Sequence, residues 1–288
     1  MSGHPSDSDR GAPWSLALHE ELTRRLAGGE RLAIATVIEA RGSGPREVGT
    51  KMLVDVEGRP SFSIGGGPLE ASVIAACREA LAEGRPRRLR LDLTEEGERS
   101  VGMTCGGTVE VLIEVAAPPR RMVVFGAGHV GRALAQVAAN TGFAVEVVDD
   151  RPEWLDAQAF PAGVTLNRNR LAHDVELPEL ADDDCVVVMT RCHATDLEIL
   201  SALQPRRFAY LGLIGSRRKV ITAMGRLRER EVEADWLASI HGPIGLDIGA
   251  ETPAEIAVSI LAEVLAVLRG RSAPGPLSIT DREAGEGA

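Results

Sequence analysis

Residues 122–131 read Met122-Val123-Val124-Phe125-Gly126-Ala127-Gly128-His129-Val130-Gly131. The apolar run does not alternate with polar residues, as expected of a short strand buried on both faces. The glycine pattern behind it predicts a tight turn that opens a helix. The first glycine permits the turn, the second lets backbone approach a diphosphate, and the third allows close helix–strand packing. Free N–H groups at the helix start then face an anion. The next apolar run, 145–148, leads to Asp149, 18 residues beyond Gly131, where an acidic side chain can hold a ribose hydroxyl. The same turn persists in folds that bind other phosphates or none, so it identifies the fold and leaves the ligand open.

Residues 164–166, 186–189 and 209–214 are further short apolar runs separated by helical or loop segments. Fully apolar strands alternating with helices indicate a parallel sheet covered on both faces. The last helix opens with Thr252-Pro253-Ala254-Glu255, which supplies an N-cap, a first-turn proline and the partner of a capping box. Ile256, Ile260 and Val264 give its buried face. In the first half, Trp14, Leu18, Leu22 and Leu26 mark a helix that Gly28-Gly29 stops. Strands are expected at 31–40, 51–56, 61–64, 89–93 and 108–115, with a helix over 68–83. Pro118-Pro119 continues neither a helix nor a strand and separates the halves. The expected class is therefore α/β: an N-terminal α/β domain over 13–117, then a Rossmann-like doubly wound parallel-sheet domain over 120–271. A disordered tail (1–12) and a flexible tail (272–288) flank them.

The chain has 288 residues and a formal net charge of −10. That length suits two domains, and the acidic balance argues against tracking a nucleic-acid backbone. No run of 18 uncharged apolar residues is present to span a bilayer, and residues 1–13 lack the apolar centre of a secretory signal. Cys77, Cys105, Cys185 and Cys192 contain no CxxC pair and suit reduced thiols in a cytoplasmic protein.

Five segments carry candidate chemistry. His129 sits inside the glycine turn, either as an exposed neighbour of the helix start or as a ligand contact. Thr190-Arg191-Cys192-His193-Ala194-Thr195-Asp196 follows the fourth strand of the second half, at the strand ends where α/β sheets bind ligands. There Arg191 and His193 suit an anionic ligand, and Asp196 either orients the histidine or, like Thr195, caps a helix over 197–203. Gly215-Ser216-Arg217-Arg218-Lys219 follows the fifth strand and places three cations at a helix start, against the helix dipole, which favours an anionic partner. In the first half, Ser63 to Glu70 sets Gly65, Gly66 and Gly67 before a proline-led helix, a cradle for an oxyanion. Glu70 lies in the first turn, where its charge is favourable even without a ligand. Cys105, in Met103-Thr104-Cys105-Gly106-Gly107, is either a small residue in a tight turn or a thiolate for a soft metal or sulfur. No HExxH, nucleophile elbow or structural zinc spacing occurs.

These segments, with Gly42-Ser43-Gly44-Pro45-Arg46, Tyr210 to Lys219 and Pro243 to Pro253, resemble the XdhC/CoxI family of xanthine dehydrogenase accessory proteins. The likeness spans most of 30–265; Arg191-Cys192 departs from the His-Asp expected before the histidine. It implies a maturation chaperone rather than a catalyst. Such a protein binds and protects the molybdenum cofactor (molybdopterin), supports its sulfuration by a cysteine desulfurase, and inserts it into a molybdenum hydroxylase such as xanthine dehydrogenase. On that reading Arg46, Gly65, Gly66, Gly67 and Glu70 face phosphate or pterin, and Cys105 faces the metal. Gly126, Gly128, His129, Gly131, Asp149, His193, Gly215, Ser216 and Arg217 hold the same ligand or a separate NAD(P). Apolar strand edges suit a homodimer. Two other classes stay open: an NAD(P)-dependent oxidoreductase with His193 as acid/base, and a nucleotide-sensing regulatory protein.

Overall fold

A computed structural model of the chain describes residues 16–42, 47–93 and 107–271. The chain divides into two compact units, Met1–Pro118 and Pro119–Ala288. No helix among the described residues is long and apolar enough to cross a membrane.

The first unit opens with α1 (Leu16–Ala27) and continues through β1 (Leu32–Arg41), β2 (Lys51–Asp55), β3 (Pro60–Ser61), α2 (Gly67–Glu83), β4 (Arg87–Asp92) and β5 (Thr108–Ala116). The strands form one sheet in the order β3-β2-β1-β5-β4, with antiparallel pairing throughout. Helix α2 packs Leu69, Val73, Cys77 and Ala80 onto Ala33, Ala35, Val37, Val111 and Ile113. The strand expected at 61–64 is shorter than its composition suggests. Phe62 adopts φ 65°, which ends the extended run after Ser61 and leaves Ile64 as a core residue of the following loop.

The second unit runs β6 (Arg121–Phe125), α3 (His129–Asn140), β7 (Ala144–Asp149), β8 (Thr165–Arg168), β9 (Cys185–Val188), α4 (His193–Leu203), β10 (Tyr210–Leu213), α5 (Arg217–Glu229), α6 (Ala234–Ala238), β11 (Ile240–His241) and α7 (Pro253–Leu268). All six strands pair in parallel, in the order β11-β10-β9-β6-β7-β8. Side chains alternate across a strand, and this decides the two faces. Met122, Val124, Val145, Val147 and Val187 meet α3 and α7, whereas Val123, Phe125, Val148, Val186 and Val188 meet α4, α5 and α6. The uninterrupted apolar runs are thus a direct consequence of two covered faces. Helix α7 carries the expected capping box between Thr252 and Glu255. Strand β11, two residues long, has too few residues to show a period and is invisible to pattern reading. No α-helix joins β7 to β8; short 3-10 turns at Pro152–Trp154 and Ala157–Ala159 take its place.

From β6 the chain builds outward through β7 and β8, then returns to place β9 on the other side of β6. The topological switch point therefore lies between β6 and β9, where doubly wound sheets open a crevice at their carboxyl ends.

Candidate functional site

The loops after β6, β7, β9 and β10 all lie at the carboxyl edge of one parallel sheet. In the glycine turn, Gly126 has φ 121°, and a Cβ there would sit 2.4 Å from the Met189 carbonyl oxygen. A Cβ on Gly131 would lie 1.9 Å from the Gly126 carbonyl oxygen. These two glycines close the turn onto the β9 loop and onto α3. Gly128 differs, because a Cβ there would meet no atom within 4 Å. It is the N-cap of α3 and offers no side-chain acceptor to the first-turn N–H groups. His129 begins the helix, exposed, with its ring edge-on to Trp154 at 5.3 Å between centroids.

Asp149, at the end of β7, is 2% exposed. Its Oδ2 accepts from the Ala127 backbone N–H at 2.7 Å and from Arg151 Nη2 at 2.8 Å. Its Oδ1 accepts from the Arg151 backbone N–H at 3.0 Å and from Arg151 Nε at 2.8 Å. Burial by itself pushes this carboxyl up, but the Arg151 side chain and the two backbone donors outweigh it and hold it below its ordinary value. Asp149 therefore clamps the glycine turn from within, and the ribose contact expected of it has no free acceptor in this structure. The Arg151 guanidinium also lies 4.7 Å from the Trp154 ring centroid, and that of Arg132 lies 4.9 Å from it. Arg132 Nη2 donates to the Trp154 carbonyl oxygen at 2.9 Å, while its Nε is buried without a hydrogen-bond partner.

Beyond β9, the expected helix start at residue 197 falls four residues earlier, at His193, with Cys192 as N-cap. Neither Thr195 nor Asp196 caps it. Asp196 is 2% exposed and turns back to the strand end, where Oδ1 accepts from the Thr190 backbone N–H at 3.0 Å and hydroxyl at 2.6 Å. Its Oδ2 lies 3.4 Å from His193 Nδ1, so Asp196 orients the imidazole. Burial raises the Asp196 carboxyl, offset in part by Thr190 and His193. The Cys192 thiol is exposed and lowered, because the backbone N–H groups of Thr195 and Ala194 favour its thiolate. Arg191 faces Asp150 at 3.8 Å. After β10, Gly215 (φ 155°) passes close to His193, whose Cε1 lies 3.9 Å from where a Cβ on Gly215 would stand. Ser216 caps α5 by accepting from the Lys219 backbone N–H at 3.4 Å, and Arg217 is exposed at the helix start.

In the first unit the glycine cradle already contains a carboxylate. Glu70 Oε2 accepts from the Ser63 hydroxyl at 2.6 Å and from the Gly66 backbone N–H at 3.2 Å. The Gly65 backbone N–H donates to the Ser63 hydroxyl oxygen at 3.2 Å. Gly66 and Gly67, with φ 73° and 61°, are open on their Cβ sides. Arg46 and Cys105 lie outside the described residues. Among the described residues, no three His, Cys, Asp or Glu side chains are grouped to hold a metal ion.

The structure thus brings Gly126, Gly128, His129, Gly131, Asp149, His193, Gly215, Ser216 and Arg217 to one sheet edge. The residues that sequence reasoning missed are Arg132, Arg151 and Trp154. The proximity of a cation and an aromatic to Asp149 in sequence was the available signal.

A family model described as the XdhC Rossmann domain matches residues 122–264. A second, described as the XdhC and CoxI family, matches residues 25–92. The chain belongs to the XdhC and CoxI family. Arg46 and Gly65 to Glu70 fall inside the N-terminal match and Gly126 to Arg217 inside the other, whereas Cys105 falls between them. Among curated relatives, the chain is 41% identical over 246 residues to the uncharacterized protein YqeB of Escherichia coli (strain K12), covering 85% of this chain and 44% of that one. It is 32% identical over 158 residues to a probable xanthine dehydrogenase subunit from Bacillus subtilis (strain 168), covering 55% of this chain and 46% of that one. It is 22% identical over 296 residues to the molybdenum cofactor insertion chaperone PaoD of Escherichia coli (strain K12), covering 84% and 85%. The match therefore spans less than half of the first two relatives' own lengths.

Proposed function

We propose that this XdhC/CoxI-family chain carries the molybdenum cofactor as cargo and delivers it to a molybdenum hydroxylase of the xanthine dehydrogenase type. The observation that carries this reading is the likeness to the insertion chaperone PaoD, which extends over 85% of that protein's length rather than over one domain. The physical chemistry agrees with a carrier. The cargo has a phosphate and a metal with oxo and dithiolene ligands, so it calls for glycine-lined backbone donors, cationic side chains and soft or imidazole ligands. Gly128 and the first turn of α3 supply backbone donors, and Arg191, Arg217 and His193 supply side chains at the same edge. Gly65, Gly66 and Gly67 with Arg46 are the proposed phosphate or pterin contacts of the first unit, with Cys105 facing the metal. Glu70 then leaves the cradle, or bonds a pterin donor, when the cargo binds. Support of sulfuration by a cysteine desulfurase, a homodimer and a cytoplasmic location belong to this same proposal. An accessory role, rather than turnover of a substrate, follows from it.

The test is the molybdenum and pterin content of protein purified from a cofactor-making host, beside Cys105→Ala. Near-stoichiometric metal and pterin in the parent, lowered in the variant, is the expected result. Absence of both from folded protein with ample cofactor supply would overturn the carrier reading. Equal content in parent and variant would remove Cys105 from the metal.

A further inference from the structure

An ionised carboxylate offers about four lone-pair sites to donors. All of those on Asp149 are occupied: one by the Ala127 backbone N–H, one by the Arg151 backbone N–H and two by the Arg151 side chain. Holding a ribose diol requires two free acceptor sites at this place. The two backbone donors belong to the turn and to the strand end, and cannot leave without unmaking the fold. The two side-chain donors can. From these contacts we infer that Arg151 is the specificity-determining residue of the glycine-turn site: its guanidinium takes the positions of a ribose diol and closes the site to nicotinamide-type dinucleotides.

Several features hold Arg151 in that role. Its side chain is 15% exposed and Asp149 is 2%, so water competes weakly for the pair. Its guanidinium packs against Trp154 at 4.7 Å, and Asp150 lies 3.9 Å from its Nε. The remainder of the turn keeps the features a diphosphate needs, including the open side of Gly128 and the uncapped first turn of α3. One side chain therefore separates this site from one that reads ribose. The inference concerns nucleotide selection and stands apart from the carrier reading.

Binding of NAD+ and NADP+ to the full chain, by isothermal titration with tryptophan fluorescence as a second readout, tests it. Arg151→Met keeps an apolar stem against Trp154 while removing both side-chain donors; Arg151→Ala is a second variant, and thermal melting verifies that each is folded. The parent is expected to show no saturable binding of either nucleotide at millimolar concentration. Arg151→Met is expected to bind NAD+ at least about ten-fold more tightly than the parent, since each hydrogen bond to a charged group is worth that much or more. The gain is expected to spare NADP+, whose 2′-phosphate blocks the diol and is repelled by the freed Asp149. Three results would overturn the inference: micromolar NAD+ binding by the parent, no NAD+ gain in either folded variant, or parent binding of NADP+ that Arg151→Met abolishes. The last would make Arg151 a phosphate ligand instead of a closure. Molybdenum and pterin content is measured separately, so failure here and failure of the carrier reading are distinguishable.

Discussion

Replacing Asp149 with asparagine isolates what the clamp contributes to the second unit. The substitution is nearly isosteric, so cavity effects drop out, but one oxygen becomes an NH2 group that points hydrogens at two existing donors. Two of the four hydrogen bonds are lost, whichever way the amide turns, and Arg151 loses its fully buried counter-charge. Breaking a buried pair from one side costs about 3–5 kcal/mol. The 15% exposure of the Arg151 side chain and the nearby Asp150 place this case near the lower end, at about 3 kcal/mol. For a unit of this size that corresponds to a fall of about 6–12 °C in Tm. Differential scanning calorimetry and urea unfolding at pH 7, with the two units' transitions fitted separately, measure it. The pH dependence has a definite sign. Asp149 is held below its ordinary value in the folded chain, so its contribution is complete above the unfolded value of about 3.9 and disappears as pH falls through the folded one. Parent and variant should therefore converge in acid. A difference under about 1 kcal/mol at pH 7, or one that persists unchanged below the folded pKa, would refute the reasoning.

Gly131→Ala drives a Cβ to 1.9 Å from the Gly126 carbonyl oxygen, so α3 must withdraw from the turn. A loss of about 2–3 kcal/mol in the second unit's transition is expected, and an unchanged melt would contradict the close packing assigned to that glycine. In the native protein, iodoacetamide should label Cys192 well before Cys77 and Cys185, which are buried and pushed up to about 12; peptide mapping by mass spectrometry reads this out. The Cys192 labelling rate should rise with pH and level off earlier than that of a free thiol, because its thiolate is favoured by backbone donors. Thr252→Ala removes the side-chain half of the α7 capping box and should cost about 1 kcal/mol in the same transition.

Most of the fold was legible because its signals are local. The run 122–125 and the glycine spacing behind it announce β6, the turn and α3, and the structure puts each within a residue or two of its expected place. The same holds for α7, whose Thr252-Pro253-Ala254-Glu255 start is a self-contained arrangement of donors and acceptors. Where local signals compete, the reading slips. Asp196 is a good cap by type, yet it bonds Thr190 at the end of β9, and the N-cap falls to Cys192. Composition near 61–64 is strand-like, yet the backbone of Phe62 turns into the left-handed region.

Sequence alone was enough for most of the longer strands and helices, for a parallel second sheet covered on both faces, and for the glycine turn that opens α3; the short β11 and α6 were beyond it. These follow from side-chain period and from steric rules acting within a few residues. The strand order that puts the switch point between β6 and β9, and the partners of the charged groups gathered at that edge, depend on contacts distant in sequence. An aspartate at a strand end has the same identity whether it waits for a ribose or closes on an arginine. The choice rests on which donors the fold carries to within about 3 Å of its oxygens, and for Asp149 those donors are Ala127 and Arg151.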